Sequence, residues 1–113
     1  MNPAEARRRA QDFLRRKQLL SAVEAEQALG VAAAVLGESL ARLAAAAGAR
    51  DGKTCAEAAH GLKGNLLNLG LPELAQAAQA IQDQAQTGDF QAVTTAISAL
   101  GASLADMAGT IRD

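Results

Sequence analysis

The chain has 113 residues and a net charge of -1; half of it is hydrophobic but only 2% is aromatic, with neither Trp nor Tyr. That length holds one core and not two. Alanine and leucine must build it, which suits closely packed helices and suits a β-sandwich poorly.

The near-neutral total hides an asymmetry. Residues 1–18 hold Arg7, Arg8, Arg9, Arg15, Arg16 and Lys17 against Glu5 and Asp12, so the rest is net acidic. A basic first helix could steer an acidic partner or touch a membrane surface. A solvated face above a buried stripe of Ala6, Ala10, Phe13 and Leu14 is the simpler account. Without aromatic interleaving or a recognition-helix pattern, no nucleic-acid binding is expected. No window approaches the roughly 18 apolar residues of a membrane span, so no membrane insertion is expected. The charged start does not read as a signal peptide. The single cysteine, Cys55, excludes an internal disulfide and is compatible with a reducing cytoplasm, where the chain is expected to reside.

Every long segment reads as helix. Pro3 suits a first turn, and an amphipathic stretch runs from it to about Gln18. Ser21 caps a short second segment ending near Gly30. From Val31 to about Ala47, Val35, Leu36, Leu40 and Leu43 recur at three-and-four spacing, and Gly48 follows as a stop. Thr54-Cys55-Ala56-Glu57 fits a capping box, so the next helix is expected to start within a residue or three of Thr54. Gly70 ends it. Pro72 opens a further helix at its first position, with Glu73 in the first turn where the helix dipole favours a carboxylate. That helix buries Leu74, Ala78, Ile81 and Ala85 and closes at Gly88. Asp89 caps the last one, whose Phe90, Val93, Ile97, Leu100, Leu104, Met107 and Ile111 form a bundle seam. The expected fold is all-α: an up-down antiparallel four-helix bundle over 31–112, with additional N-terminal helical segments in 1–30.

Most enzyme chemistry is excluded by counting. One His and one Cys make neither a zinc site nor a di-iron site, and no Gly-rich phosphate loop is present. No cofactor and no metal are expected in this chain. Cys55 and His60 lie about 140° apart on a helix, so they diverge as a nucleophile pair, and Cys55 reads as a small core residue.

His60 is the only histidine, within Ala59-His60-Gly61-Leu62-Lys63-Gly64. Cys55, Ala59, Leu62, Leu66 and Leu69 share one helical face, and His60 points about 140° from its middle. Gly61 and Gly64 each cost the helix about 1 kcal/mol relative to Ala, with no turn nearby to explain them. Leu67 lies only about 20° from His60 in azimuth, two turns on. Lys63, one turn away, can balance an anion on the imidazole. An open imidazole, a nearby cation and clearance for a protein-sized visitor describe a phosphoryl-accepting histidine. Neutral imidazole is a competent nucleophile at cytoplasmic pH. Nothing in the chain polarises a phosphoanhydride, so catalysis must come from the partner.

His60-Gly61-Leu62-Lys63-Gly64, then Leu69-Gly70, Leu74, Ile81-Gln82 and Gly88-Asp89, resembles the histidine-containing phosphotransfer (HPt) domain of phosphorelays. The resemblance spans about residues 54–90, with helix order agreeing over roughly 31–112. It implies that His60 is the phosphoacceptor, Lys63 the cation beside it and Gly64 the clearance position. It also implies that Gln82 stands where a Gln or Glu hydrogen-bonds the imidazole's other nitrogen. Asn65-Leu66-Leu67 is bulkier than the small residues usual after the Lys-Gly, so the docking surface departs from the family pattern.

The implied partners are a response-regulator receiver domain, which would supply Mg²⁺ and the aspartate, and a histidine kinase. The receiver would cover Gly61, Gly64 and Leu67. The chain would act as a monomeric phosphoryl carrier rather than an enzyme. Two other readings keep the fold: a helical interaction scaffold without transfer, and the phosphoacceptor module of a larger chemotaxis-type kinase. Among Gln76, Gln79, Gln84 and Gln86, the bland expectation is exposure to solvent.

Overall fold

The computed structural model describes residues 1–108, and among these it is all-helical: α1 (Pro3–Lys17), α2 (Ala22–Gly48), α3 (Gly52–Leu67), α4 (Pro72–Gln86) and α5 (Phe90–Ser103). Local signals set most boundaries. Asn2 accepts from the Glu5 N–H at 2.8 Å ahead of Pro3, and Ser21 with Glu24 closes a capping box. Pro72 starts α4, and Asp89 caps α5 through the Ala92 N–H.

Three expectations are corrected. The segments expected to part near Gly30 form one continuous α2, because Ala25, Leu29, Leu36 and Leu43 make a single buried stripe along it. Burying each leucine is worth roughly 2 kcal/mol, more than the cost of about 1 kcal/mol for a mid-helix glycine. α3 starts at Gly52, within the expected distance of Thr54, but Thr54 does not cap it. Asp51 is the cap, accepting from the Thr54 N–H at 3.1 Å and from the Thr54 hydroxyl at 2.7 Å. Thr54 is thereby spent as a donor to the cap instead of serving as one. Finally, α2 is long and apolar enough to cross a membrane by length and composition, with a window of mean hydropathy 1.5. Alanines supply much of that value, and its leucines 29, 36 and 43 are buried against the other helices.

α5 ends at Ser103, short of the expected seam, although Leu104 and Met107 still bury their side chains in the turns that follow. Ile111 lies outside the described residues. Helix α2 packs on α3, α3 on α4, α4 on α5, and α5 returns to α2, while α1 lies against α2 and α5. The core between them is Leu29, Leu36, Leu43, Leu62, Leu66, Leu71, Ile81 and Val93, with several alanines; no polar or charged residue among those described is buried as a whole. Val35, expected on the buried stripe, is 40% exposed.

α1 is fastened by more than its buried Ala6, Ala10 and Leu14. Arg7 pairs with Glu26 of α2, and Arg9 reaches Glu73 of α4 at 3.1 Å. Phe13, half-buried, packs over Gly70. Much of the basic face is thus a solvated surface over a core stripe, with Arg8, Arg15, Arg16 and Lys17 left exposed.

Candidate functional site in the groove between α3 and α4

The apolar face of α3 goes inward as its period dictates: Cys55, Ala59, Leu62 and Leu66 are buried. Burial raises the Cys55 thiol pKa, which disfavours the thiolate, and its sulfur faces the Leu43 carbonyl at 3.9 Å. The opposite face carries His60, exposed, with Gly61 and Gly64 beside it. No atom stands within 4 Å of where a Cβ would lie on either glycine, and Leu67 is 47% exposed. The imidazole therefore looks onto open space on the side of these glycines.

On its other side His60 borders a groove of about 700 Å³ between α3 and α4. Lys53 and Ala56 of α3 and Gln82, Ala85 and Gln86 of α4 line it with the imidazole. Helix approach there is tight, since a Cβ on Gly52 would lie 2.9 Å from the Ala85 carbonyl oxygen. Gln82 is half-buried, and its Oε1 is buried without a donor. The fold thus brings Gln82 to the histidine's groove, but no hydrogen bond joins the two among the described residues.

Lys63 is half-buried rather than waving in solvent. Its Nζ donates to Gln79 Oε1 at 2.8 Å, and Gln79 Nε2 donates to Asp83 Oδ1 at 3.0 Å. Gln79, expected among the solvent glutamines, is therefore a partner of the site, and Gln84 is half-buried as well. The pattern that could have found Gln79 is the spacing of Gln79, Gln82 and Gln86, at i, i+3 and i+7 on one face of α4. Amphipathic reasoning alone treats such glutamines as solvent residues, because it cannot see that this face meets α3.

Beyond His60, toward α2, a shallow groove runs along Ala32, Val35, Asn65 and Asn68. Val31 and Val35 are 68% and 40% exposed. Among the described residues no group of three or more His, Cys, Asp or Glu side chains is placed to hold a metal ion. Chemically, the arrangement offers one reachable nucleophilic imidazole, one restrained ammonium a turn away, and amide groups along the adjoining helix.

No curated protein and no solved structure matches this chain significantly. The Hpt domain family matches it over residues 24–110, which takes in α2 through α5 with the histidine on α3, and the chain belongs to that family.

Proposed function

We propose that His60 is the phosphoacceptor of a phosphorelay carrier that exchanges a phosphoryl group with the aspartate of a receiver domain. Membership in the Hpt domain family makes the chain a histidine carrier in two-component signalling, and such domains carry phosphoryl groups rather than turn over substrates. The observation that carries the assignment is the exposure of the single histidine beside two glycines, Gly61 and Gly64, with nothing over them. An imidazole nitrogen attacks phosphorus in line, the N–P bond forms, and the P–O bond to the receiver's aspartate breaks to release its carboxylate. Return transfer reverses those bonds. Lys63 balances the phosphoryl charge, and Gln82, with its oxygen unpaired, accepts from the N–H of the imidazole's other nitrogen as the ring turns.

The receiver covers Gly61, Gly64 and Leu67. The exposed Val35, across the shallow groove on α2, extends that apolar surface. Such a contact is transient, with the carrier itself a cytoplasmic monomer. The up-down antiparallel order of α2 to α5 is part of the same reading. The pairs Arg42–Glu57 and Gly52–Ala85 support it for α2, α3 and α4, since one sets the later part of α2 beside the earlier part of α3 and the other the start of α3 beside the end of α4.

The test is incubation with phosphorylated receivers from the same genome, following acid-labile label on this chain. Label that appears on the native chain and is lost with His60→Gln is the expected result. Label retained by His60→Gln refutes the assignment.

A further inference from the structure

We propose that Gln79 is a positioning residue for phosphotransfer at His60, holding the Lys63 ammonium in place through a hydrogen-bonded string anchored at Asp83. The inference rests on the reading of His60 as phosphoacceptor and adds a residue that the family motif does not mark. The string is explicit: Lys63 Nζ to Gln79 Oε1 at 2.8 Å, and Gln79 Nε2 to Asp83 Oδ1 at 3.0 Å.

Its polarity follows from the chemistry of its ends. An ammonium only donates and a carboxylate only accepts, so the amide between them has one satisfactory orientation. The opposite flip would set N–H against the ammonium and oxygen against the carboxylate. Asp83 stands one turn beyond Gln79 on α4, and so fixes the amide along the helix surface. Lys63 in turn is one helical turn from His60, where their Cβ atoms lie about 5–6 Å apart.

An unrestrained lysine gives up a large share of its rotamer freedom each time it meets an anion. Here that freedom is already reduced before the phosphoryl group arrives. The holder is a neutral amide, so the ammonium is fixed without its charge being cancelled by a direct carboxylate contact. Two of its three N–H groups remain for phosphoryl oxygens. Lys63 is also half-buried, where a charge contact is screened less than at the open surface.

The experiment uses the full chain labelled with phosphoramidate, a small phosphoryl donor that needs no partner. It measures the half-life of the phosphohistidine and the rate of transfer to a receiver. Gln79→Leu is expected to shorten the half-life and slow transfer by roughly two- to fivefold at an unchanged melting temperature. Gln79→Glu, which sets a carboxylate against the ammonium and gives up the donor to Asp83, shortens the half-life as well, because a neutral amide is what leaves the charge free for the phosphoryl group. In a Lys63→Ala background Gln79→Leu has no further effect, because the string then holds nothing. Should Gln79→Leu fail to fold, Asp83→Ala is the second variant, with a smaller loss in the same direction. A labelled native chain with an unaffected Gln79→Leu variant, or effects that add to those of Lys63→Ala, overturns this inference alone. A native chain that takes no label overturns the phosphoacceptor reading and this inference with it.

Discussion

The ring of Phe13 in α1 occupies the space in which a Cβ on Gly70 would stand, with Phe13 Cβ only 2.7 Å from that position. Gly70 also has φ of 73°, the left-handed region that disfavours side chains. This contact joins α1, all of which precedes the family-matched region, to the turn that follows the histidine helix. Gly70→Ala is expected to lower stability by about 2–4 kcal/mol, part from backbone strain and part from displaced aromatic packing. In a Phe13→Ala background the ring's share of the packing cost disappears, while the strain of about 1 kcal/mol and the close approach of the residue 13 Cβ remain. Urea denaturation of the four chains measures both.

His60→Gln abolishes phosphate acceptance and changes unfolding free energy by less than about 0.5 kcal/mol, because the imidazole is exposed. Thermal unfolding alongside label uptake checks the pair of effects. A melting temperature lowered by many degrees would contradict the exposed placement.

Gly64→Gln separates stability from transfer. The glycine lies inside α3 with open space around it, so the replacement raises stability by up to about 1 kcal/mol. The same side chain occludes the approach to His60 and slows transfer from a receiver, while labelling by phosphoramidate persists. Native transfer rates with a bulky residue at 64 would refute the clearance role.

Leu19 also adopts a left-handed backbone, with φ of 58°, just after α1, and its side chain is 84% exposed. The Leu20 N–H there returns to the Leu14 carbonyl at 3.4 Å, a helix ending that glycine adopts freely. Leu19→Gly is expected to stabilise the chain by about 1 kcal/mol, read from the denaturation midpoint.

The start of α3 depends on pH. The Thr54 hydroxyl, and after it the Thr54 N–H, hold the Asp51 carboxyl below its ordinary value of 3.8. The unfolded chain therefore binds that proton more tightly than the folded one, and acidification favours unfolding. The contribution of Asp51 is complete above pH 3.8 and is lost as pH falls through the lower folded value. Native and Asp51→Ala melting curves should differ at neutral pH and converge in acid.

Periodicity and capping residues determined much of this protein before any folding was considered. The inward face of α3, the starts of α1, α2, α4 and α5, and the outward placement of His60 all follow from local spacing and cap chemistry. These are short-range rules, obeyed within a few residues. They assign the cap of α3 to Thr54 instead of Asp51 and divide α2 at Gly30, where a stripe running the length of the helix outweighs one residue's propensity. Only the tertiary structure decided which faces of different helices meet. Gln79 reads as a solvent glutamine in its own helix and becomes the partner of Lys63 because α4 packs on α3. Val35 reads as core from its spacing and is left exposed beside the groove. Side-chain partners across helices depend on packing geometry, which sequence period does not encode, so His60, Lys63 and the two glycines were legible within one helix and Gln79 was not.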